Sequence, residues 1–466
     1  MDLIKLTKQE LLVKCEELGI TRCKSKTKVE LVNLINNGAK EELDNTQEKE
    51  PGLPEGQLLT EKGKGSGKTV GLPGLPGLPA FIDLFCGIGG FHQALNRLNG
   101  TCVFACDIDE KCRETYEKNY GLKPHADITK VNIAEIPDFD VLCAGFPCQA
   151  FSNSGKKKGF DDKRGRLYEY ILDIAAAKRP RFLFLENVKH IKTIDDGKVF
   201  EEIMRRIGET GYTAHITELS PHQLGVPQQR ERVIFTCIRN DIYDPAKSLE
   251  FPLPKVPINV EAIFEKDLAK TAKYRISKDD EAVLSAWDEM VKQMETGQNM
   301  SPTILCNEFG KAYSETEFAE LAAWRREYIT KNKPIYNKYK VHWDAWREKH
   351  RALLAKKEIY GKLEWQAGIK KENDSIFNHF IQLRQSGIRV KKTEYFPTLV
   401  AIVQTPIYAK EKRYITPREC ARLQSFPDNF IMCENDHIAY KQFGNAVNVD
   451  VVHFVINNVL RLYGIM

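Results

Sequence analysis

The chain has twelve cysteines among its 466 residues, yet no two of them stand in a CxxC spacing. That spacing is what a structural zinc site would need, so no metal is expected. Long apolar runs are also missing, and the first residues carry no secretory signal. The chain is expected to avoid the membrane and keep reduced thiols, in the cytoplasm or, from a eukaryotic or viral source, in a nucleus or viral factory. The excess of charge of one sign is small too, with 69 Lys and Arg against 64 Asp and Glu. A net charge of +5 is modest, so binding to a polyanion would rely on local patches. Gly63 to Lys68-Thr69 superficially resembles a phosphate loop, but the residue five before Gly67 is Lys62 rather than glycine. A nucleoside-triphosphate site is therefore excluded. Three Gly-Leu-Pro repeats at 71–79 are too few for collagen.

What the chain does have starts at Val141-Leu142-Cys143-Ala144, a short apolar run that reads as a buried strand. Gly145-Phe-Pro-Cys148-Gln-Ala-Phe-Ser-Asn-Ser154 follows it. Proline fixes its own backbone angle, so Cys148 sits at a strand end with its direction set. Beyond it run Lys156-Lys-Lys158 and Asp161 to Arg166, a basic loop. Positive charge lowers a thiol's pKa, which makes Cys148 a candidate nucleophile for an electron-poor substrate held by its phosphates. Cys86, Cys102, Cys106, Cys143 and Cys237 lie in apolar runs and read as small core residues.

Phe81-Ile-Asp-Leu-Phe-Cys-Gly-Ile-Gly-Gly90 is a strand running into a glycine turn, and Phe91-His-Gln-Ala-Leu begins a helix. A second strand, Cys102–Cys106, ends in Asp107-Ile108-Asp109, where a nucleoside-binding fold holds ribose hydroxyls. Asp127 ends the segment Pro124–Ile128. Three acids at strand ends, with no lysine in the first turn, suit a nucleoside lacking a diphosphate, S-adenosylmethionine rather than a dinucleotide. Arg181-Phe-Leu-Phe-Leu-Glu186-Asn187-Val188 reads as a buried parallel strand that ends in a glutamate. In Arg230-Glu-Arg232, alternation places both guanidiniums on one side of an entering strand. They are either solvated charge or, beside a nucleophile and a glutamate, a grip on a phosphate and a base carbonyl.

These blocks, in this order, resemble the DNA (cytosine-5) methyltransferase family, most closely its bacterial modification type. The likeness covers 80–239 and roughly 394–466. Arg413–Pro427 resembles the segment bracing the recognition region, and Tyr440–Val447 resembles the last family motif. The resemblance implies that Cys148 adds to cytosine carbon 6, that Glu186 engages ring nitrogen 3, and that Arg232 grips the carbonyl while Arg230 braces the phosphates and the loop. It implies a cofactor turn of Phe85, Gly87, Gly89 and Gly90. Asp107 would hold the ribose, Asp127 and Ile128 would meet the adenine, and Asn445 would close the pocket. Ile108 departs from the family's usual large aromatic, so stacking on adenine is expected to be either weaker or replaced by apolar packing from Phe85. Gln149, Ser154, Lys156 and Arg164 would contact DNA from a lid over 149–166. Thr398-Leu399 resembles the pair that anchors the recognition region. Arg384 and Arg389, around Gly387, suit guanine edges.

The expected organisation is an α/β, Rossmann-like S-adenosylmethionine-dependent methyltransferase sheet domain, a smaller target-recognition domain and an N-terminal helical module. Residues 1–37 weakly resemble a SAP-type DNA-tethering helix pair, and 38–79 form a Gly/Pro and charged linker. Residues 80–239 are the catalytic domain, 240–430 the recognition domain and 431–466 a returning segment. All five tryptophans lie between 287 and 365, and the aromatics there mark either the core of a helical domain or contacts to bases. The expected activity is site-specific cytosine-5 methylation of double-stranded DNA by a monomer, within a restriction-modification type system. The alternatives are a tRNA cytosine-5 methyltransferase and an inert DNA-binding regulator.

Overall fold

A computed structural model describes residue 10 and residues 79–147, 167–372, 374–401 and 404–466. The chain divides into two units, 1–72 and 73–466. In the first, Glu10 alone is described, helical and exposed, so the SAP-like reading and the linker lie outside the described residues. So do Cys148, Gln149, Ser154, Lys156 and Arg164.

The second unit is built on a six-stranded sheet in the order β2-β1-β3-β4-β6-β5. Its strands are β1 (Ala80–Leu84), β2 (Thr101–Cys106), β3 (Val141–Gly145), β4 (Phe182–Val188), β5 (Tyr212–Leu219) and β6 (Arg232–Arg239). β1 to β4 run parallel, and β6 lies antiparallel between β4 and β5. Beyond β2, His125 adds a single parallel bridge to Cys106, which places Asp127 at the expected edge.

Both faces of this sheet are covered, so its strands are continuous apolar runs rather than alternating ones. Phe81, Val141, Cys143, Phe182 and Phe184 belong to one core, with helices α1 (Gly90–Asn96) and α10 (Val449–Leu462). Ile82, Leu142, Ala144, Leu183 and Leu185 belong to the other, with α3 (Leu167–Lys178) and α4 (Lys198–Glu209). In α10, Val452, Val455, Ile456 and Val459 recur at helical spacing and are all buried. Asn448 starts that helix by accepting from Val451 N and donating to Leu423 O. The C-terminal segment is thereby folded back onto the first helix of the sheet.

Residues 240–430 depart from a helical domain. They hold a second six-stranded sheet, β12-β11-β9-β10-β8-β7. Its strands are β7 (Met300–Leu305), β8 (Lys362–Trp365), β9 (Phe380–Arg384), β10 (Gly387–Lys391), β11 (Ile407–Tyr408) and β12 (Arg413–Tyr414). These strands are two to six residues long, so alternation is too brief to read from sequence. Three helices cover one side: α5 (Lys278–Val291), α6 (Ala323–Lys338) and α7 (Lys340–Lys349). Periodicity across 318–324 is interrupted, because Leu321 turns to extended backbone after a short helix. Trp287, Trp343 and Trp365 are fully buried, Trp346 nearly so, and Trp324 is half exposed. Four of the five tryptophans are therefore core, each stabilising by about 1.5–3 kcal/mol or more.

Candidate active site

The carboxyl ends of β3 and β4 form the floor of the site. Gly145 pairs in register with Glu186, and Asn187 Nδ2 donates to the carbonyl of Phe146 at 3.1 Å. That bond ties down the peptide immediately before Pro147. Asn187 was not singled out by sequence. Its signal was a polar residue, 2% exposed, where an apolar strand would otherwise continue, because a buried amide demands partners.

Glu186 meets its partner across the antiparallel edge. Arg232 opens β6, Val188 pairs with it in register, and its Nε lies 2.7 Å from Glu186 Oε1. Both side chains are about one-tenth exposed. A carboxylate and a guanidinium thus face one crevice, offering an acceptor and several donors within one hydrogen-bond length.

Arg230 does something different. Its backbone N–H donates to Ser220 Oγ at 2.9 Å. Its guanidinium donates to the carbonyls of Leu399 at 2.7 Å, Gly444 at 3.1 Å and Ala446 at 3.0 Å. With 3% exposure it cannot brace a phosphate. The expected alternation with Arg232 fails because Arg230 precedes the strand, where backbone is not pleated. It clamps Gly444 and Ala446 of the last motif to Leu399 instead. The same junction is stitched by Phe396, whose N–H donates to Pro227 O at 2.7 Å and whose carbonyl accepts from Gln229 N at 2.9 Å. Thr398 Oγ1 donates to Gln229 O at 2.6 Å, which spends this hydroxyl on an anchor rather than leaving it for DNA.

The glycine turn lies beside this floor. Phe85, Gly87 and Gly89 all have positive φ, at 53°, 52° and 85°. For Phe85 that backbone is sparsely populated, and such strain concentrates at ligand sites. Tyr120 Oη donates to the carbonyls of Ile88 and Gly89, each at 3.1 Å, and a Cβ on Gly89 would lie 2.4 Å from its ring. A Cβ on Gly90 would lie 2.4 Å from Val447 O, and one on Gly145 would lie 3.2 Å from Val447 Cγ2. Val447, unassigned by sequence, is therefore the residue of the last motif that closes over both blocks. Above Gly87 there is open space.

Asp107 ends β2 with both carboxylate oxygens engaged. Oδ2 accepts from Gly87 N at 2.7 Å and Oδ1 from Asp109 N at 2.8 Å. Burial raises its pKa above the usual aspartate value, although the two N–H groups oppose that. Ile108 beside it is 79% exposed, a large apolar side chain that a flat ligand would cover. Asp109 caps α2 (Glu110–Tyr120) and pairs with Lys441 at 2.8 Å. Asp127 accepts from Thr129 N and Oγ1, at 3.0 and 2.8 Å, while Ile128 is buried in the core. Asn445 is exposed at the end of α9 (Asp436–Asn445).

Beneath the turn, His92 Nδ1 lies 2.6 Å from Tyr116 Oη, and its ring stacks on Tyr120 at 3.8 Å. Burial lowers the His92 pKa to about 3, so the ring is neutral and structural. Burial pushes the thiols of Cys102 and Cys106 up to about 12, which removes them as nucleophiles. On the second sheet, Arg384 donates to Gln382 and Arg389 to Glu364. Among the described residues no His/Cys/Asp/Glu group could hold a metal ion, and no helix is long and apolar enough to cross a membrane.

An open sheet with a ligand turn after β1, an acid after β2 and a carboxylate–guanidinium pair at β4 and β6 defines a methyltransferase-type α/β enzyme. A profile of the C-5 cytosine-specific DNA methylases matches residues 80–461. The chain belongs to that family and is a DNA (cytosine-5) methyltransferase. Its relatives include the type II methyltransferase M.HhaI of Haemophilus parahaemolyticus, 32% identical over 81% of this chain and 93% of the relative. M.HpaII of Haemophilus parainfluenzae is 31% identical over 84% and 92%. Among solved structures, the Schizosaccharomyces pombe (S. pombe) Dnmt2 methyltransferase aligns with TM-score 0.46 and 19% identity, covering 82% of this chain and 98% of that one.

Proposed function

We propose that the chain transfers a methyl group from S-adenosylmethionine to carbon 5 of a flipped cytosine, at one short sequence of double-stranded DNA. The observation that carries this reading is the Glu186–Arg232 pair at 2.7 Å, one residue from the Asn187 tether of Phe146. It supplies the two groups a cytosine edge requires, beside the strand end that leads to Cys148. Cytosine carbon 5 is a poor nucleophile. Addition of the Cys148 thiolate to carbon 6 makes the ring enamine-like; Glu186 in its protonated form gives a proton to ring nitrogen 3 and Arg232 donates to the carbonyl, so negative charge does not build up on the ring. Once carbon 5 has bonded the methyl group, its proton passes to solvent, the Cys148 thiolate is expelled, and ring nitrogen 3 returns its proton to Glu186. None of these atoms is reachable inside a duplex, so the base leaves the stack.

The residues around the turn fit the cofactor. Asp107 already holds the turn and retains lone pairs for ribose hydroxyls, Ile108 offers an uncovered apolar face, and open space lies over Gly87. When bound, S-adenosylmethionine supplies an electrophilic methyl group. Phe85, Gly89, Gly90, Asp127, Ile128 and Asn445 complete this pocket. Arg230 and Thr398 act by joining the recognition region to the catalytic floor, while Gln149, Ser154, Lys156, Arg164, Arg384 and Arg389 serve the DNA. Residues 240–430 read the sequence and 431–466 close the cofactor side. In this reading the enzyme works as a cytoplasmic monomer that protects DNA within a restriction-modification type system, as the type II names of its relatives suggest.

A duplex carrying 5-fluorocytosine tests the covalent step, since fluorine cannot leave as the carbon 5 proton does. With S-adenosylmethionine, wild type should form an SDS-stable protein–DNA adduct and Cys148→Ser none. Equal adducts from both proteins would reject Cys148.

A further inference from the structure

The second sheet presents a polar cleft of about 240 Å³, lined by Gln229, Glu364, Gln366, Arg389, Lys391 and Tyr395 among others. Alternation along β10 buries Ile388 and Val390 and turns Gly387, Arg389 and Lys391 to the other face. In register, Arg389 sits opposite Glu364 on β8 and Gln382 on β9. Its guanidinium bonds the Glu364 carboxylate, which also accepts from Thr303 Oγ1 at 3.3 Å. Glu364 is 6% exposed, so its carboxylate is a fixed wall. Arg384 and Lys391 share this neighbourhood, and burial and then Arg389 depress both of their pKa values. Arg384 Nε is buried with no partner among the described residues. Three cations around one carboxylate, partly desolvated, call for a ligand rich in acceptors.

Arg389 is already charge-paired by the Glu364 carboxylate, so its remaining N–H groups are left for hydrogen bonding in a fixed plane rather than for neutralising a phosphate. A neutral group with two aligned acceptors is the right ligand, and guanine offers O6 and N7 together in the major groove. We propose that Arg389, with its guanidinium plane set by Glu364, reads a guanine of the recognition sequence. Glu364 is the positioning residue. The inference rests on the duplex-DNA reading given above. Gln229 lines the same cleft and lies three residues before Arg232, a span of at most about 11 Å. The reader and the catalytic floor are thus joined by a short stretch of chain, which puts that guanine in the same short recognition sequence as the methylated cytosine.

The test is methylation of a randomised duplex library, read by bisulfite sequencing, with wild type, Arg389→Gln and Glu364→Gln. Wild type should require a guanine at one fixed position of the methylated context. Arg389→Gln should lose roughly tenfold or more of the guanine preference at that position only and turn toward adenine, whose N6 and N7 suit an amide. Glu364→Gln should weaken the same preference. An unchanged preference, or a uniform loss across all sequences as from a phosphate contact, would overturn the proposal. Should either variant misfold, wild type decides alone. Replacing that guanine by 7-deazaguanine, which removes N7 and preserves pairing, should lower kcat/KM about tenfold, and an unchanged rate would overturn the proposal. Wild type that methylates tRNA alone fails at the earlier reading and takes this inference with it.

Discussion

Arg230 and Ala446 lie 216 residues apart in sequence, and their guanidinium and carbonyl meet at 3.0 Å in the interior. The same side chain holds Gly444 and Leu399, so one buried cation fastens the last motif to the segment around Leu399. The open crevice belongs to Arg232, two residues later. The two arginines of one block therefore divide the work, one holding the architecture and one pairing with Glu186 at the crevice.

Arg230→Ala should leave three buried carbonyls without a donor. Hydrogen bonds to a charged group are each worth about 1.5–3 kcal/mol, so urea unfolding should show a loss of roughly 3 kcal/mol or more. The slope of log affinity for DNA against log salt should stay unchanged. A slope reduced by about one, with stability intact, would return Arg230 to a phosphate.

Glu186→Gln should lower kcat by about two to three orders of magnitude while the DNA Kd moves little. Single-turnover methylation and gel shift on the same duplex separate the two effects. Unchanged turnover would remove Glu186 from the activation of the base.

Much of this site is legible in the chain because its parts are local. Phe81–Gly90 announces strand, turn and helix, and the structure delivers them with positive φ at Phe85, Gly87 and Gly89. Glu186 follows an apolar run that can only be a buried strand. What the sequence hides is long-range. Alternation paired Arg230 with Arg232, but Arg230 stands outside the strand and its partners are some 170 to 216 residues away. Val447 carries no chemical signature, yet it covers Gly90 and Gly145. The second sheet escapes because two of its strands are two residues long and are held by tertiary pairing rather than by their own pattern.

Asp107 makes a pH prediction with a definite sign. Its folded pKa is raised by burial, so its contribution to stability is full below the ordinary aspartate value and is lost as pH rises through the raised one. Cofactor affinity runs the opposite way, since hydroxyls need the ionised acceptor. Calorimetric titration should show binding strengthening as pH rises through a midpoint above the ordinary aspartate value. Asp107→Asn should flatten that dependence, and a dependence that survives would assign it to another group.

Gly90→Ala should force Val447 away, because the new Cβ would lie 2.4 Å from its carbonyl oxygen. Overpacking of this kind costs about 1–3 kcal/mol. Thermal melts should fall by several degrees, and cofactor affinity should fall with them. A variant with wild-type melting and affinity would show that the last motif does not close over the turn.

The central claim is tested most directly by methyl transfer from labelled S-adenosylmethionine to duplex DNA and to tRNA side by side, with the DNA product sequenced after bisulfite treatment. The account predicts label in DNA, with protected cytosines confined to one short repeated context. Label in tRNA alone, or in neither substrate while the cofactor binds, would contradict it.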